Sequence, residues 1–300
     1  PGINFTLKDT TATDNYVLTV DANGEAGWEA AAGGASTGEG YFYLRNKDGG
    51  ALSNNGTTMH AGYQSLNAAA SIDECGPCIF IGYGSGYYVT DGADSVYIGD
   101  GTANTPGLTD VTGNTAVGSN ALKKATTSNN AAFGRWALMN ATTGGYNSAF
   151  GAFALDANTT AANNVAVGYL SSSANTTGEL NVSVGAHSNT TGTTASENTA
   201  VGAAALRYLG TGAHNTAIGR SAMHSSVSGS TGQLTGNYNT AVGSNSLFAN
   251  TSASSNTAVG FNALNANTTA AANTAVGRNA LAACTTGGNQ VAVGEYALAN

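Results

Sequence analysis

The stretch NTAVGSNAL at residues 114–122 decides how this chain is read, because it does not occur only once. It returns as NNVAVGYL (163–170), ENTAVGAAAL (197–206), HNTAIGRSAM (214–223), YNTAVGSNSL (238–247), SNTAVGFNAL (255–264), ANTAVGRNAL (272–281) and NQVAVGEYAL (289–298). Its glycines are Gly118, Gly134, Gly151, Gly168, Gly185, Gly202, Gly219, Gly243, Gly260, Gly277 and Gly294. Successive intervals are 16, then 17 five times, then 24, then 17 three times. Degenerate copies lie upstream: IFIG ends at Gly82, VYIG at Gly99, and MHAGYQSL surrounds Gly62. A period of 17 is too short for a helical-pair repeat, which takes about 33 residues or more. N-T-A-V is a β-type phrase, and the Gly after it ends the strand and permits positive φ. One short strand per repeat cannot bury its own apolar face, so each repeat must stack on the next. The expected fold is all-β: a parallel β-solenoid, or β-roll, with one coil of about 17 residues per repeat. Fourteen anchors from Gly62 to Gly294 give a stack roughly 60 Å long at about 4.8 Å per coil.

Each column of the repeat carries an expectation. The residue before Gly is Val117, Phe133, Phe150, Val167, Val184, Val201, Ile218, Val242, Val259, Val276 or Val293, and this column is assigned to the coil interior. Leu four after Gly, as in Leu206, packs beside it. The residue two before Gly is Ala or Ser and, by strand alternation, is assigned to the outside, where a small side chain suits a second surface lying against it. Four before Gly stands Asn114, Asn130, Asn147, Asn164, Asn181, Asn198, Asn215, Asn239, Asn256 or Asn273, continued by Gln290. Stacked amides would form a hydrogen-bonded ladder; the alternative is a turn residue tolerant of left-handed geometry.

Composition narrows the function classes. Charged residues make up 9% of the chain, and net charge is -8. Residues 1–112 carry 13 acidic and 3 basic side chains; residues 113–300 carry 4 and 6. No Lys/Arg cluster points to nucleic acid. No apolar run is long enough for a membrane-spanning helix. Three segments are expected: a connector over 1–34, a transitional β region over 35–112, and the regular stack over 113–300.

The repeats resemble those of trimeric fibre proteins, above all bacteriophage tail fibres, and are similar to the V-A-I-G-x-x-S head repeats of trimeric autotransporter adhesins, which form a left-handed parallel β-roll. The resemblance covers about residues 78–300. YVLTVDANGEAGWEAA (16–31) resembles the V-L-T-x-D-x-x-G-x-x-x-W segment found upstream of tail-fibre shafts. It implies a homotrimeric shaft in a virion, joined to other tail or baseplate proteins on its N-terminal side. Such a shaft projects a tip toward a host-surface receptor, a glycan or outer-membrane component. The chain opens at Pro1 and stops at Asn300 in mid-repeat, so the end domains of such a shaft are expected to lie outside this sequence. The rival readings are a bacterial cell-surface adhesin and an ice-binding solenoid. For the latter, the Thr column three before Gly (Thr115, Thr199, Thr216, Thr240, Thr257, Thr274) is broken by Ala131, Ser148, Val165 and Val182.

Motifs suggestive of chemistry have plainer readings. ECGPC (74–78) has dithiol spacing, but Cys78 runs straight into the strand IFIG and no βαβ unit surrounds it. A turn-spanning pair is expected from Cys75 and Cys78, and a small packed side chain from Cys284. Asp156, Glu179, Glu197 and Glu295 lie in four different coils; only Glu179 and Glu197, one coil apart and one residue out of phase, leave a chance pairing open, so no regular carboxylate pair for glycoside hydrolysis is expected. His60, His187, His214 and His224 have no metal-ligand spacing. No enzyme activity, cofactor or metal is expected. The 24-residue interval inserts seven residues within 223–238; the plainer reading is a tolerated surface loop, and the functional one is a surface contact loop including Ser225, Ser226, Gln233 and Tyr238.

Overall fold

The computed structural model describes the strand backbones 16–20, 26–30 and 58–61, residue 65, and residues 78–89, 93–108, 111–225 and 233–299. The chain divides into two units, 1–43 and 44–300. In the first, β1 (Tyr16–Val20) and β2 (Ala26–Ala30) form an antiparallel pair with Val20 opposite Ala26.

The second unit is an all-β parallel solenoid. Fourteen strands form one sheet in strict chain order, beginning with β3 (Thr58–Ala61), β4 (Cys78–Ile81) and β5 (Ser95–Ile98). The strands of the regular repeat run from β6 (Thr115–Val117) to β16 (Val291–Val293), each three residues long. Register never slips. Thr199 faces Thr216, which faces Thr240 across the 24-residue interval, so the extra residues leave the sheet unaltered. Hydrogen bonds join the turns as well as the strands. Leu206 N–H donates to Ala222 O (3.0 Å), and Ala204 N–H to Ala186 O (2.9 Å).

The interior is the reverse of the expectation from alternation and size. The Ala or Ser two before Gly points inward and is buried throughout the regular repeat, from Ala116 to Ala292. Val117, Phe133, Phe150, Val167, Val184, Val201, Ile218, Val242, Val259, Val276 and Val293 point outward and are half-buried or exposed: Phe150 and Ile218 are 41% exposed and Val293 70%. The reason is width. Leu four after Gly already fills the narrow coil, and Leu122, Leu138, Leu155, Leu206, Leu247 and Leu264 are fully buried. Only Ala fits opposite them. The upstream coils make the converse choice. There the strand supplies the bulk, Phe80 and Tyr97, stacked at 5.4 Å, while the Leu position is Gly86 or Ala103. A Cβ on Gly86 would run into the Phe80 ring.

Tight corners set the rest. In the coil anchored by Gly202, Glu197, Ala204 and Leu206 are left-handed (φ +59°, +58° and +49°), and Gly202 itself has φ +129°. Its Cα also lies against the next coil: a Cβ there would sit 2.6 Å from the carbonyl carbon of Gly219. Conformation and stacking therefore both demand glycine.

The Asn column four before Gly is a buried ladder. Asn198 N–H donates to Asn181 Oδ1 (3.0 Å), and Asn198 Oδ1 accepts from Asn215 N–H (3.0 Å) and Nδ2 (3.2 Å). Its own Nδ2 donates to Gly212 O at 3.0 Å. The same step recurs from Asn114 to Asn273, and Gln290 N–H continues it onto Asn273 Oδ1. A second column lies seven after Gly. Asn175, Asn250 and Asn267 close a turn by bonding the N–H and C=O of the residue three further on. The next residue, Thr, donates its hydroxyl to the neighbouring coil, as Thr159 does to Thr176 O (3.1 Å) and Thr176 to Thr193 O (2.9 Å). These two roles account for the Asn-Thr-Thr triplets at 175 and 267; Asn158 takes the same place, but its side-chain amide has no hydrogen-bond partner.

Candidate functional site

The outward face of the sheet is a continuous surface that runs the length of the described stack. Two side chains per strand point out, three and one before Gly. From Ile79 in β4 to Val293 in β16 they are Val, Ile, Phe, Thr, Ser and Ala, with no charged residue among them. Phe133 and Phe150 stack on this face at 4.8 Å, 6° from parallel. With strands about 4.8 Å apart and three residues of about 3.3 Å each, thirteen strands present roughly 600 Å². A standard interface takes about 800 Å² from each partner.

The residues bordering each strand in the chain are more varied. Ahead of the strands stand Tyr146, Leu180 and Tyr238, all exposed. Here His214 Nδ1 lies 2.9 Å from Glu197 Oε2, and its ring stacks on Tyr238 at 4.9 Å. Just after the anchoring glycines, Arg135 lies 4.5 Å over Trp136, which leads edgewise to Phe153, Tyr169 and His187 along four successive coils. Arg278 pairs with Glu295 and lies 4.8 Å over Tyr296.

The expected contact loop is divided by the fold. Ser225 is fully buried, with φ +55°, and belongs to the coil rather than to a loop; this expectation is corrected. Gln233 is half-buried, Tyr238 is exposed, and Ser226 lies outside the described residues. Beside Ser225, His224 stacks flat on Phe248 (5.0 Å), meets Tyr208 edgewise, and has its Nδ1 3.1 Å from Ser225 O. Burial pushes its pKa down; the Ser225 carbonyl opposes this, and the charge of Arg207 adds to it.

The residues weighed for chemistry do not converge. Cys78 is buried at the head of β4, paired in register with Ser95; Cys75 lies outside the described residues. Cys284 takes the second Asn column, and its Sγ donates to Gly287 O (3.2 Å), the turn contact that Asn makes elsewhere. Glu197 N–H donates to Glu179 O, and both side chains are exposed. Burial raises the carboxyl pKa of Asp156, which two backbone N–H groups partly offset. Among the described residues no three His, Cys, Asp or Glu side chains gather to hold a metal. The Asn of the Asn-Thr-Thr triplets at 158, 175 and 267 are buried, which closes them to glycosylation.

The Thr ladder and the inward aromatics of β4 and β5 were not anticipated from sequence. The first had a signal, Asn-Thr seven after each Gly; the last had another, the loss of Leu four after Gly82 and Gly99. No family model, curated protein or solved structure matches the chain.

Proposed function

We propose that this chain is the structural shaft of a bacteriophage tail fibre, built from three copies that meet through their outward sheet faces. The observation that carries the reading is the uncharged face from β4 to β16, which leaves Phe150, Val167, Ile218, Val259 and Val276 exposed on a single chain. Monomeric proteins seldom expose a continuous apolar surface of several hundred square ångströms. Covering one or two apolar residues per coil over about 60 Å stabilises an assembly without any single strong contact. The function is mechanical: every coil bonds to its neighbours through strand, turn and Asn ladder, so the stack resists bending. It holds a receptor-binding tip away from the virion, with other tail or baseplate proteins on its N-terminal side and a glycan or outer-membrane component of the host as receptor. It needs no cofactor and performs no catalysis.

The test is the mass of the native protein by light scattering. The reading expects three times 29.6 kDa. A mass equal to one chain at all accessible concentrations refutes it.

A further inference from the structure

Two coils of the stack exchange inside for outside. Between Gly168 and Gly202 the Leu column holds Ser172 and Asn189, the Ala column two before Gly holds Ser183, and the place three after Gly, buried Ala in Ala137, Ala154 and Ala205, holds Ser171 and Ser188, all buried. Their hydroxyls satisfy one another: Ser172 Oγ donates to Ser183 Oγ (2.8 Å), and Ser171 Oγ lies 2.9 Å from Ser188 Oγ. Asn189 Oδ1 is buried with no hydrogen-bond partner. The apolar core breaks here. One cluster runs from Cys78 to Ala166 and the next from Ala195 to Ala292. On the outward face the same section gains what the interior lost. In β9 (Val165–Val167) and β10 (Val182–Val184), Val165 and Val182 take the outward place that Thr holds in six other coils, and exposed Leu180 borders β10.

A coil with Ser and Asn inside and Val and Leu outside gains little from its own interior. We infer that the section from Val165 to Asn198 is the assembly-dependent part of the stack: its apolar surface is turned toward neighbouring copies of this chain, and those contacts hold it in place of a core. The inference rests on the proposed interface between copies. The occupant is another copy because the face is uncharged and identically spaced along the axis, so parallel copies meet in register. Its area also approaches what a stable interface needs.

The experiment compares the wild type, Val165→Thr/Val182→Thr and Val259→Thr/Val276→Thr. Dissociation is followed in urea by sedimentation, and amide exchange is read in β9 and β10 against the strands at Thr257–Val259 and Thr274–Val276. Thr stands at the first pair's positions in six other coils, so folding is retained. Both variants are expected to lower the concentration of urea that dissociates the assembly, since each removes two outward methyl groups of similar exposure. In the dissociated wild type the amides of Val165 and Val182 exchange fast while those of Thr257 and Thr274 stay protected. Ser172→Leu/Asn189→Leu, which restores the core, slows that exchange. Equal protection of the two sections after dissociation overturns the inference and leaves the shaft reading standing. A wild type that never associates overturns both.

Discussion

Removing one rung of the Asn ladder tests what holds the coils together. In Asn198→Ala the backbone N–H of Asn215 loses its acceptor, Asn198 Oδ1 at 3.0 Å, in a buried site. Gly212 O loses the Nδ2 donor at 3.0 Å, while Asn215 Nδ2 keeps a second partner in Gly236 O at 2.9 Å. An orphaned buried N–H costs about 2 kcal/mol, a lost amide–carbonyl bond about 1 kcal/mol, and the small void a fraction more. The expected loss is about 3–4 kcal/mol. It is read as a lower midpoint in urea by circular dichroism and as faster exchange of the Asn215 amide. Asn181→Ala, an equivalent rung whose Oδ1 accepts from Asn198 N–H and whose Nδ2 donates to Ala195 O, should cost the same; Thr199→Val, on the outward face, should cost almost nothing. A loss below about 1 kcal/mol with the Asn215 amide still protected would refute the argument, and would place the cohesion of the stack in the backbone ladder and the Leu column alone.

Gly202→Ala, like the same change at the other anchoring glycines, should cost several kcal/mol in thermal or urea unfolding, since its φ of +129° and the Gly219 carbonyl both exclude a Cβ. Ala200→Val should destabilise the chain by about 1–3 kcal/mol through overpacking, whereas Val201→Thr on the outward face changes monomer stability by less than about 0.5 kcal/mol. The pH dependence has two signed parts. His224 has a lowered folded pKa, so its contribution is present above its ordinary 6.5 and is lost as pH falls toward the folded value; His224→Gln flattens the stability curve over that window. Asp156 has a raised folded pKa, so its contribution is lost as pH rises from its ordinary 3.8. Asp156→Asn should therefore stabilise at neutral pH, with the difference fading as pH falls to 3.8.

Period, strand type, parallel stacking and the Asn ladder were legible because they repeat: the same residue every 17 positions can only be the same place in successive coils. Which face pointed inward was not. Alternation places Ala200 and Val201 on opposite faces without saying which face is which. Size suggested Val inside, but the left-handed corner that turns Leu206 into the coil leaves no room for it, and a corner of that kind has no residue signature when Ala204 and Leu206 themselves adopt it. Phe80 and Tyr97 in the inward column were the available clue, since two large aromatics where later coils have Ala identify the column that faces the core. Ser225 was misplaced because an interval of 24 locates an insertion only to within a turn.

The left-handed corners also govern how such a stack comes into being. Each coil holds about three non-glycine residues at positive φ, each unfavourable by of order 1 kcal/mol in a free chain. A lone coil therefore has no stable existence. The same coil laid on a finished edge receives strand, turn and amide bonds at once, and closes a loop of only 17 residues to do so. The kinetics are those of a zipper: a slow start, then rapid one-dimensional growth, with short-range contacts throughout. Whatever supplies the first coil's edge sets the register of every coil after it. The refolding rate should thus depend steeply on a seed and hardly at all on the number of repeats.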